Sequence, residues 1–337
     1  MSHQRCDRVV LIQFITLKDN FTYLSKKIYQ AMKFLIASLF AALIFFEMPQ
    51  SDKSGGPGSD DQSQKPLFSF GVVADVQYCN CEPQGTRFYR LAPGRLREAV
   101  DLCNADSVAF LVNLGDLIDR DYESYKTVLN IIDSSGVKTY HLIGNHDYSV
   151  EPKYKRRLPP PMPSKEGYYS FVYQDFRFIA LNGNEISTYA STNKSIIKQA
   201  ESLITTLKDS GAVNAIDWNG GVSTKQLGWL RTQLDESVAK SEKVFILCHF
   251  PAFPDDEHNL LNYRDVLAIL KNYDNIIAWL NGHNHAGNYG NFNMIHFVTF
   301  KGMVDTEQFG AFSIIDVYRN KIWINGSGRE RSQILAY

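Results

Sequence analysis

The sequence predicts an α/β domain over residues 66–337. Short runs of apolar, β-branched and aromatic residues alternate with helical stretches along most of the chain. Five of those runs stop abruptly at glycine or at polar residues able to bind a cation or move a proton. A hydrophobic content of 44% in 337 residues is ample for a sizeable core. With 35 basic against 36 acidic residues, the net charge of −1 leaves no basic footprint of a nucleic-acid binder. Attraction for an anionic substrate must therefore be local, from a bound cation or a few arginines.

Residues 1–48 read as an N-terminal extension and 49–65 as a flexible linker rich in Ser, Gly, Asp and Gln. The apolar run 34–46 is thirteen residues long, too short to span a bilayer comfortably, where about 20 are needed. With Lys26, Lys27 and Lys33 flanking it, the run suits a secretory signal. Translation starting at Met32 would make Lys33 its basic region. The stretch Phe45-Phe-Glu-Met-Pro49 offers no small-residue cleavage site, so a retained membrane tether through 34–46 is the companion expectation. The protein is expected to be exported or membrane-anchored, with a cytoplasmic location as the alternative.

Phe68–Ala74 reads as a buried strand ending in Asp75-Val-Gln77, whose alternate side chains Asp75 and Gln77 share a face. A helix over 90–104 leads to a second strand, 108–114, and then Gly115-Asp116 with Asp119 beyond; Gly115 permits the sharp exit. After a helix over 122–134, Thr139–Ile143 is a third strand, broken by Gly144 and followed by Asn145, His146 and Asp147. Alone, Gly-Asn-His-Asp is an ordinary turn composition. Residues 168–173 and 176–182 form a hairpin, 196–208 a helix, and Ser223 caps the next helix with Gln226 at the reciprocal position. Strand 243–248 empties into His249, and strand 276–280 into Asn281-Gly-His283-Asn-His285, with the helix 263–271 between them. Strands 294–300, 311–317 and 321–325 close the domain.

Functional sites in α/β sheets gather outside the carboxyl ends of strands. Pooling the five strand ends gives Asp75, Gln77, Asp116, Asn145, His249, His283 and His285 as candidate metal ligands, with Asp119 and His146 beside them. Carboxylate, amide and imidazole donors together suit divalent ions of borderline hardness, Mn²⁺ first, then Fe, Co or Zn. The five cysteines show no CxxC spacing, and a structural zinc site fits poorly. Cys79 and Cys81 are too close in sequence for a relaxed loop-closing bridge, so free or buried thiols are expected, with a long-range bridge from this region open if the protein is exported.

The ordered blocks Asp-x-Gln, Gly-Asp-x-x-Asp, Gly-Asn-His-Asp, His and Gly-His-x-His, within residues 70–286, resemble the calcineurin-like metallophosphoesterase superfamily. That resemblance implies a four-layer αββα sandwich of two mixed sheets with a di-metal centre at one edge. It implies Asp75, Gln77, Asp116 and His285 on one metal, with Asp116 bridging to a second held by Asn145, His249 and His283. His146 would stabilise the transition state or protonate the leaving oxygen, oriented by Asp119. Two divalent ions bring four positive charges and the two aspartates return two, so the centre stays cationic and phosphate hydrolysis by a metal-activated hydroxide is expected.

Gln77 stands where the superfamily more often has His, and Asp119 where purple acid phosphatases place a Tyr. Asp-x-Gln itself, Gln84-Gly-Thr-Arg-Phe-Tyr-Arg90, Trp218-Asn-Gly-Gly221, Asn262-Tyr-Arg-Asp265 and Gly326-Ser-Gly-Arg329 are similar to the manganese-dependent ADP-ribose/CDP-alcohol diphosphatases. This finer resemblance implies a small nucleotide-type diphosphate substrate, with Arg87, Arg90 and Arg264 as candidate phosphate contacts and Tyr263 or Tyr89 as a stacking surface. The alternative for these arginines is pairing with surface carboxylates. Alternatives for the activity are a phosphodiesterase or phosphomonoesterase of the same superfamily, and an inactive interaction scaffold. A scaffold loses ligands, and none is missing here. His141, His258 and His296 are read as structural or solvated, and the tryptophans, Trp218 among them, as core or flank.

Overall fold

The computed structural model describes residues 65–155 and 162–337. The expectations for the N-terminal extension, the apolar run 34–46 and the linker as far as residue 64 lie outside the described residues. Among the described residues no helix is long and apolar enough to cross a membrane.

Among the described residues, twelve strands form two six-stranded mixed sheets. The first has the order β12-β11-β10-β1-β2-β3, where β1 is Phe68–Val73, β2 Leu111–Asn113, β3 Thr139–His141, β10 Ala311–Val317, β11 Lys321–Gly328 and β12 Gln333–Ala336. β1, β2 and β3 run parallel, while β10 to β12 form an antiparallel extension on β1. The second has the order β4-β5-β6-β7-β9-β8, where β4 is Tyr169–Tyr173, β5 Phe176–Ala180, β6 Lys243–Leu247, β7 Ile276–Asn281, β8 Asn288–Phe292 and β9 Ile295–Thr299. Its four central strands are parallel and its two edges antiparallel.

The strand pattern dictates the layers. Phe70 and Val72 of β1 alternate with Gly71 and Val73, so one face of the strand meets the second sheet and the other meets helices. Between the sheets, Phe70 stacks on Phe110 at 5.2 Å and Phe178 on Phe245 at 5.0 Å, and Phe110 meets Phe178 edge-on at 5.2 Å. Helices α1 (Ala92–Ala105) and α2 (Ser124–Asp133) bury Leu96, Val100, Val128 and Ile132 behind the first sheet. Helices α4 (Thr224–Ala239) and α5 (Tyr263–Leu270) bury Leu230, Leu234, Val266 and Ile269 behind the second. The helix α3 (Lys194–Asp209) is capped by Asn193, whose side chain accepts from the Ser195 N–H. The result is the expected αββα sandwich.

Three expectations are corrected. The regular ladder of the second strand spans only Leu111–Asn113, although its backbone already meets β1 before it, with Ala109 N–H donating to the Ser69 carbonyl at 2.8 Å and Gly71 N–H to the Phe110 carbonyl at 2.9 Å. Strands β8 and β12 were not expected; both are short edges with little apolar periodicity. Cys79 and Cys81 form a disulfide, since their Cα atoms stand 5.2 Å apart, within bridging range despite a separation of two residues. Cys103 and Cys248 are buried free thiols, as expected of this set.

Candidate metal centre

The carboxyl ends of β1, β2 and β3 in one sheet and of β6 and β7 in the other deliver all seven candidate ligands to one place. Asp116 Oδ2 lies 3.3 Å from His249 Nε2, and Asp75 Oδ1 lies 3.3 Å from His285 Nε2. Asp116, His249 and His283 each offer a ligand atom within 4.8 Å of the others, and all three are buried. The loops that carry them are bent sharply: Asp75, Gln77, Asp116 and His283 all have positive φ, between 45° and 68°. Four non-glycine residues in that sparsely populated region mark a constellation held by its surroundings. A Cβ on Gly144 would collide with Asp116 Oδ1, and one on Gly115, at φ 104°, would come 2.7 Å from His249 Nδ1.

Each imidazole is aimed by a partner on its far nitrogen. His249 Nδ1–H donates to the Leu114 carbonyl at 2.9 Å, leaving Nε2 turned towards Asp116 and, at 3.2 Å, Asn145 Oδ1. His283 Nε2–H donates to Asn219 Oδ1 at 3.0 Å, freeing Nδ1. His285 Nδ1–H donates to Asp305 Oδ2 at 2.7 Å, freeing Nε2. Fixing the ring and tautomer from behind is how metal-binding histidines are usually held.

Whether the residues suit a cation is tested by what their free atoms face. Asp75 Oδ1 and Gln77 Oε1 are buried without a hydrogen-bond donor. The Nε2 atoms of His249 and His285 likewise point at carboxylate oxygens. Acceptors facing acceptors in a buried site need a positive charge between them. The titration of the site carries the same sign. Burial alone would lower His249, yet Asp116 and then Asp75 hold it up to about 9; for His285 burial is outweighed by Asp75 and Asp305, which hold it up to about 10. Burial would raise Asp116, but His249, His146 and His283 together keep it well below the usual carboxylate range. His283 is pushed well below its ordinary value by burial and then by His249, so it is a neutral donor. The donor set therefore fits divalent cations.

His146 borders this cluster. Its Nδ1 pairs with Asp119 Oδ1 at 3.0 Å, its backbone N–H donates to Asp116 Oδ1 at 2.8 Å, and its Nε2 lies 3.4 Å from Arg87 Nη1. Asp147, unassigned from sequence, ties the loops together: Oδ2 accepts from the N–H groups of Asp116 and Gly144, and Oδ1 from Leu117 N–H and the Tyr125 hydroxyl. The centre opens into a cleft of about 500 Å³ lined by Gln77, Arg87, Asn145, His146, His283 and His285, with Trp218, Glu257 and His258 on its wall.

Of the expected substrate contacts, only Arg87 lines this cleft. Arg90 is exposed and spent on Asn80 and Glu82, its Nη1 2.6 Å from the Glu82 carboxylate. Tyr263 is buried on α5 with its hydroxyl donating to Asp255 at 2.8 Å, and Arg264 Nε donates to that same hydroxyl. Both border a separate hollow with Leu203, Leu207 and Leu261, so the substrate expectation for Arg90, Tyr263 and Arg264 is corrected. Tyr89 is fully buried, which removes it as a stacking surface. Sequence reading missed the supporting residues Asn219 and Asp305 and the cleft residues Trp218 and His258. Trp218-Asn219 sits in a segment that resembles the diphosphatases, and that resemblance is the signal the sequence offers for them.

Residues 68–287 match the calcineurin-like phosphoesterase family. The chain belongs to that family. It is accordingly a metal-dependent phosphohydrolase. This family member is similar to the human manganese-dependent ADP-ribose/CDP-alcohol diphosphatase, 30% identical over 334 residues, covering 85% of this chain and 97% of the human one. The Arabidopsis thaliana protein of the same name is 28% identical over 303 residues, covering 80% and 97% respectively. Among solved structures, a dimetal phosphatase from Danio rerio superposes with a TM-score of 0.73 at 26% identity, covering 81% of this chain and 100% of that one.

Proposed function

We propose that this phosphoesterase hydrolyses the diphosphate linkage of nucleoside diphosphate derivatives such as ADP-ribose or CDP-alcohols, with two Mn²⁺ ions as its cofactor. The observation that carries the substrate reading is Arg87, the one arginine among the cleft-lining residues named above, held 3.4 Å from His146 where a second phosphate would extend from the centre. The likeness to relatives named for this activity over nearly their whole length supports it.

In this reading Asp75, Gln77, Asp116 and His285 would hold one ion, and Asn145, His249 and His283 would hold the second together with Asp116. The ions, when bound, supply Lewis acidity and an activated water. The chain's own residues do the rest. Arg87 neutralises and orients the outer phosphate. His146 gives a proton to the departing oxygen from Nε2, and Asp119 keeps the ring facing the cleft through Nδ1. Hydrolysis then yields AMP and ribose 5-phosphate, or CMP and a phospho-alcohol.

A panel of ADP-ribose, CDP-choline, cyclic AMP and p-nitrophenyl phosphate with added Mn²⁺ tests the proposal. The diphosphates are expected to dominate kcat/KM; dominance of the cyclic or monoester substrate overturns the reading. We also propose that the run 34–46 directs export or anchors the chain. N-terminal sequencing of native protein checks this, and a peptide from residues 8–18 in the mature product refutes it.

A further inference from the structure

A single carboxylate, Asp305, stands between the metal centre and the segment that presents Arg87. It lies in the loop after β9, 5% exposed, and no strand-end pattern marks it. Its Oδ2 accepts from His285 Nδ1–H at 2.7 Å, and its Oδ1 accepts from the Thr86 hydroxyl at 2.7 Å. Backbone pairing reinforces the second link: Thr306 N–H donates to the Thr86 carbonyl at 2.8 Å and Phe88 N–H to the Val304 carbonyl at 2.9 Å. Residues 84–88 are thereby laid along the 304–306 loop, with Arg87 bridged to Asp305.

The loop itself is clamped from below. The buried Arg95 of α1 donates to the carbonyls of Met303, Val304 and Asp305 at 2.8, 3.0 and 3.2 Å, and also to that of Thr306. Arg329 donates to the Gly302 carbonyl at 2.5 Å and holds Nη2 3.8 Å from Asp305 Oδ2. Five backbone carbonyls bonded by two guanidinium groups leave the carboxylate little freedom, and such fixation is what a supporting residue needs.

We propose that Asp305 is a positioning residue with two outputs: one oxygen orients His285 towards the metal, and the other sets the segment that carries Arg87 to the substrate phosphate. A carboxylate only accepts, so His285 must donate from Nδ1 and keep Nε2 available on the side of Asp75 and Gln77. The other oxygen fixes Thr86, one residue from the arginine that reaches His146. Metal affinity and substrate placement thus share one anchor. The inference rests on the proposed metal centre and on Arg87 as its phosphate contact.

Two variants of the full chain separate the outputs. Asp305→Ala is expected to weaken Mn²⁺ binding to the metal-free protein by about 10- to 100-fold, read by calorimetry, and to raise KM. Thr86→Val cuts only the second link, so KM rises while Mn²⁺ affinity stays at the wild-type value. Asp305→Asn keeps an acceptor for His285 and a donor for Thr86, and is expected to recover part of both losses. Circular dichroism establishes folding of each variant before binding is measured. Wild-type Mn²⁺ affinity in Asp305→Ala overturns the inference, as does an equal loss of Mn²⁺ affinity in Thr86→Val. A wild-type protein that binds no Mn²⁺ overturns the metal-centre reading instead, which keeps the two failures apart.

Discussion

Replacing His146 by alanine separates its chemistry from its place in the structure. The link from residue 146 to the metal-site aspartate is a backbone one, N–H to Asp116 Oδ1 at 2.8 Å, and alanine keeps it. What the variant loses is the imidazole, whose Nδ1 rests on Asp119 and whose Nε2 faces the cleft beside Arg87. Removing a positioned proton donor costs about 10²- to 10⁴-fold in rate. That corresponds to about 3 to 6 kcal/mol of barrier, at about 1.4 kcal/mol per decade. The variant should therefore bind two Mn²⁺ per chain with wild-type affinity and show the loss in kcat. Asp119→Ala should lose less, and the double variant no more than His146→Ala alone, because residues that act as a unit are not additive. Steady-state kinetics on ADP-ribose beside metal analysis of dialysed protein is the assay. A drop in bound Mn²⁺, or a kcat within about threefold of wild type, refutes the assignment of His146 as the proton donor.

Arg87→Ala should raise KM for a diphosphate substrate about tenfold or more, the scale of a lost charge-assisted hydrogen bond, whereas Arg90→Ala leaves KM unchanged; equal effects would remove the distinction drawn from the cleft. Phe110→Ala, at the crossing of stacks from both sheets, should destabilise the fold by about 3 to 5 kcal/mol, seen as a lower urea midpoint. His141 is buried with Nδ1 unpartnered, and burial lowers it to about 4. The unfolded chain protonates it near 6.5, so stability is complete above that pH and is lost as pH falls towards 4, by about 2 kcal/mol at pH 5. His141→Gln should lose less stability between pH 7 and pH 5 in urea titrations; an unchanged difference would mean that another group carries the acid sensitivity.

The centre was legible because its signal is local. Each group of candidate ligands follows closely on an apolar run, and a strand that stops at Gly115-Asp116 or Gly144-Asn145 announces both the sheet and its edge. The supporting residues carry no such mark. Asp305 reaches His285 across 20 residues of chain and Thr86 across 219, and nothing in its own neighbours suggests either contact. Strands β8 and β12 escaped because edge strands with one exposed face need few apolar residues, as in Asn288-Tyr-Gly-Asn-Phe292. Arg264 and Arg90 misled for the opposite reason: a charged side chain in a suggestive segment says nothing about which carboxylate claims it first.

The candidate ligands are divided between the sheets. Asp75, Asp116 and Asn145 come from the edge of one, and His249, His283 and His285 from the edge of the other. Ions held by both would act as a fastener across the sandwich at this rim. Opening the rim and releasing metal then become one motion. Stability gained from bound ions grows as the logarithm of free metal over its dissociation constant. Heat inactivation in dilute chelator should therefore proceed by the two halves parting at this edge, and manganese in solution would govern how long the layers stay shut.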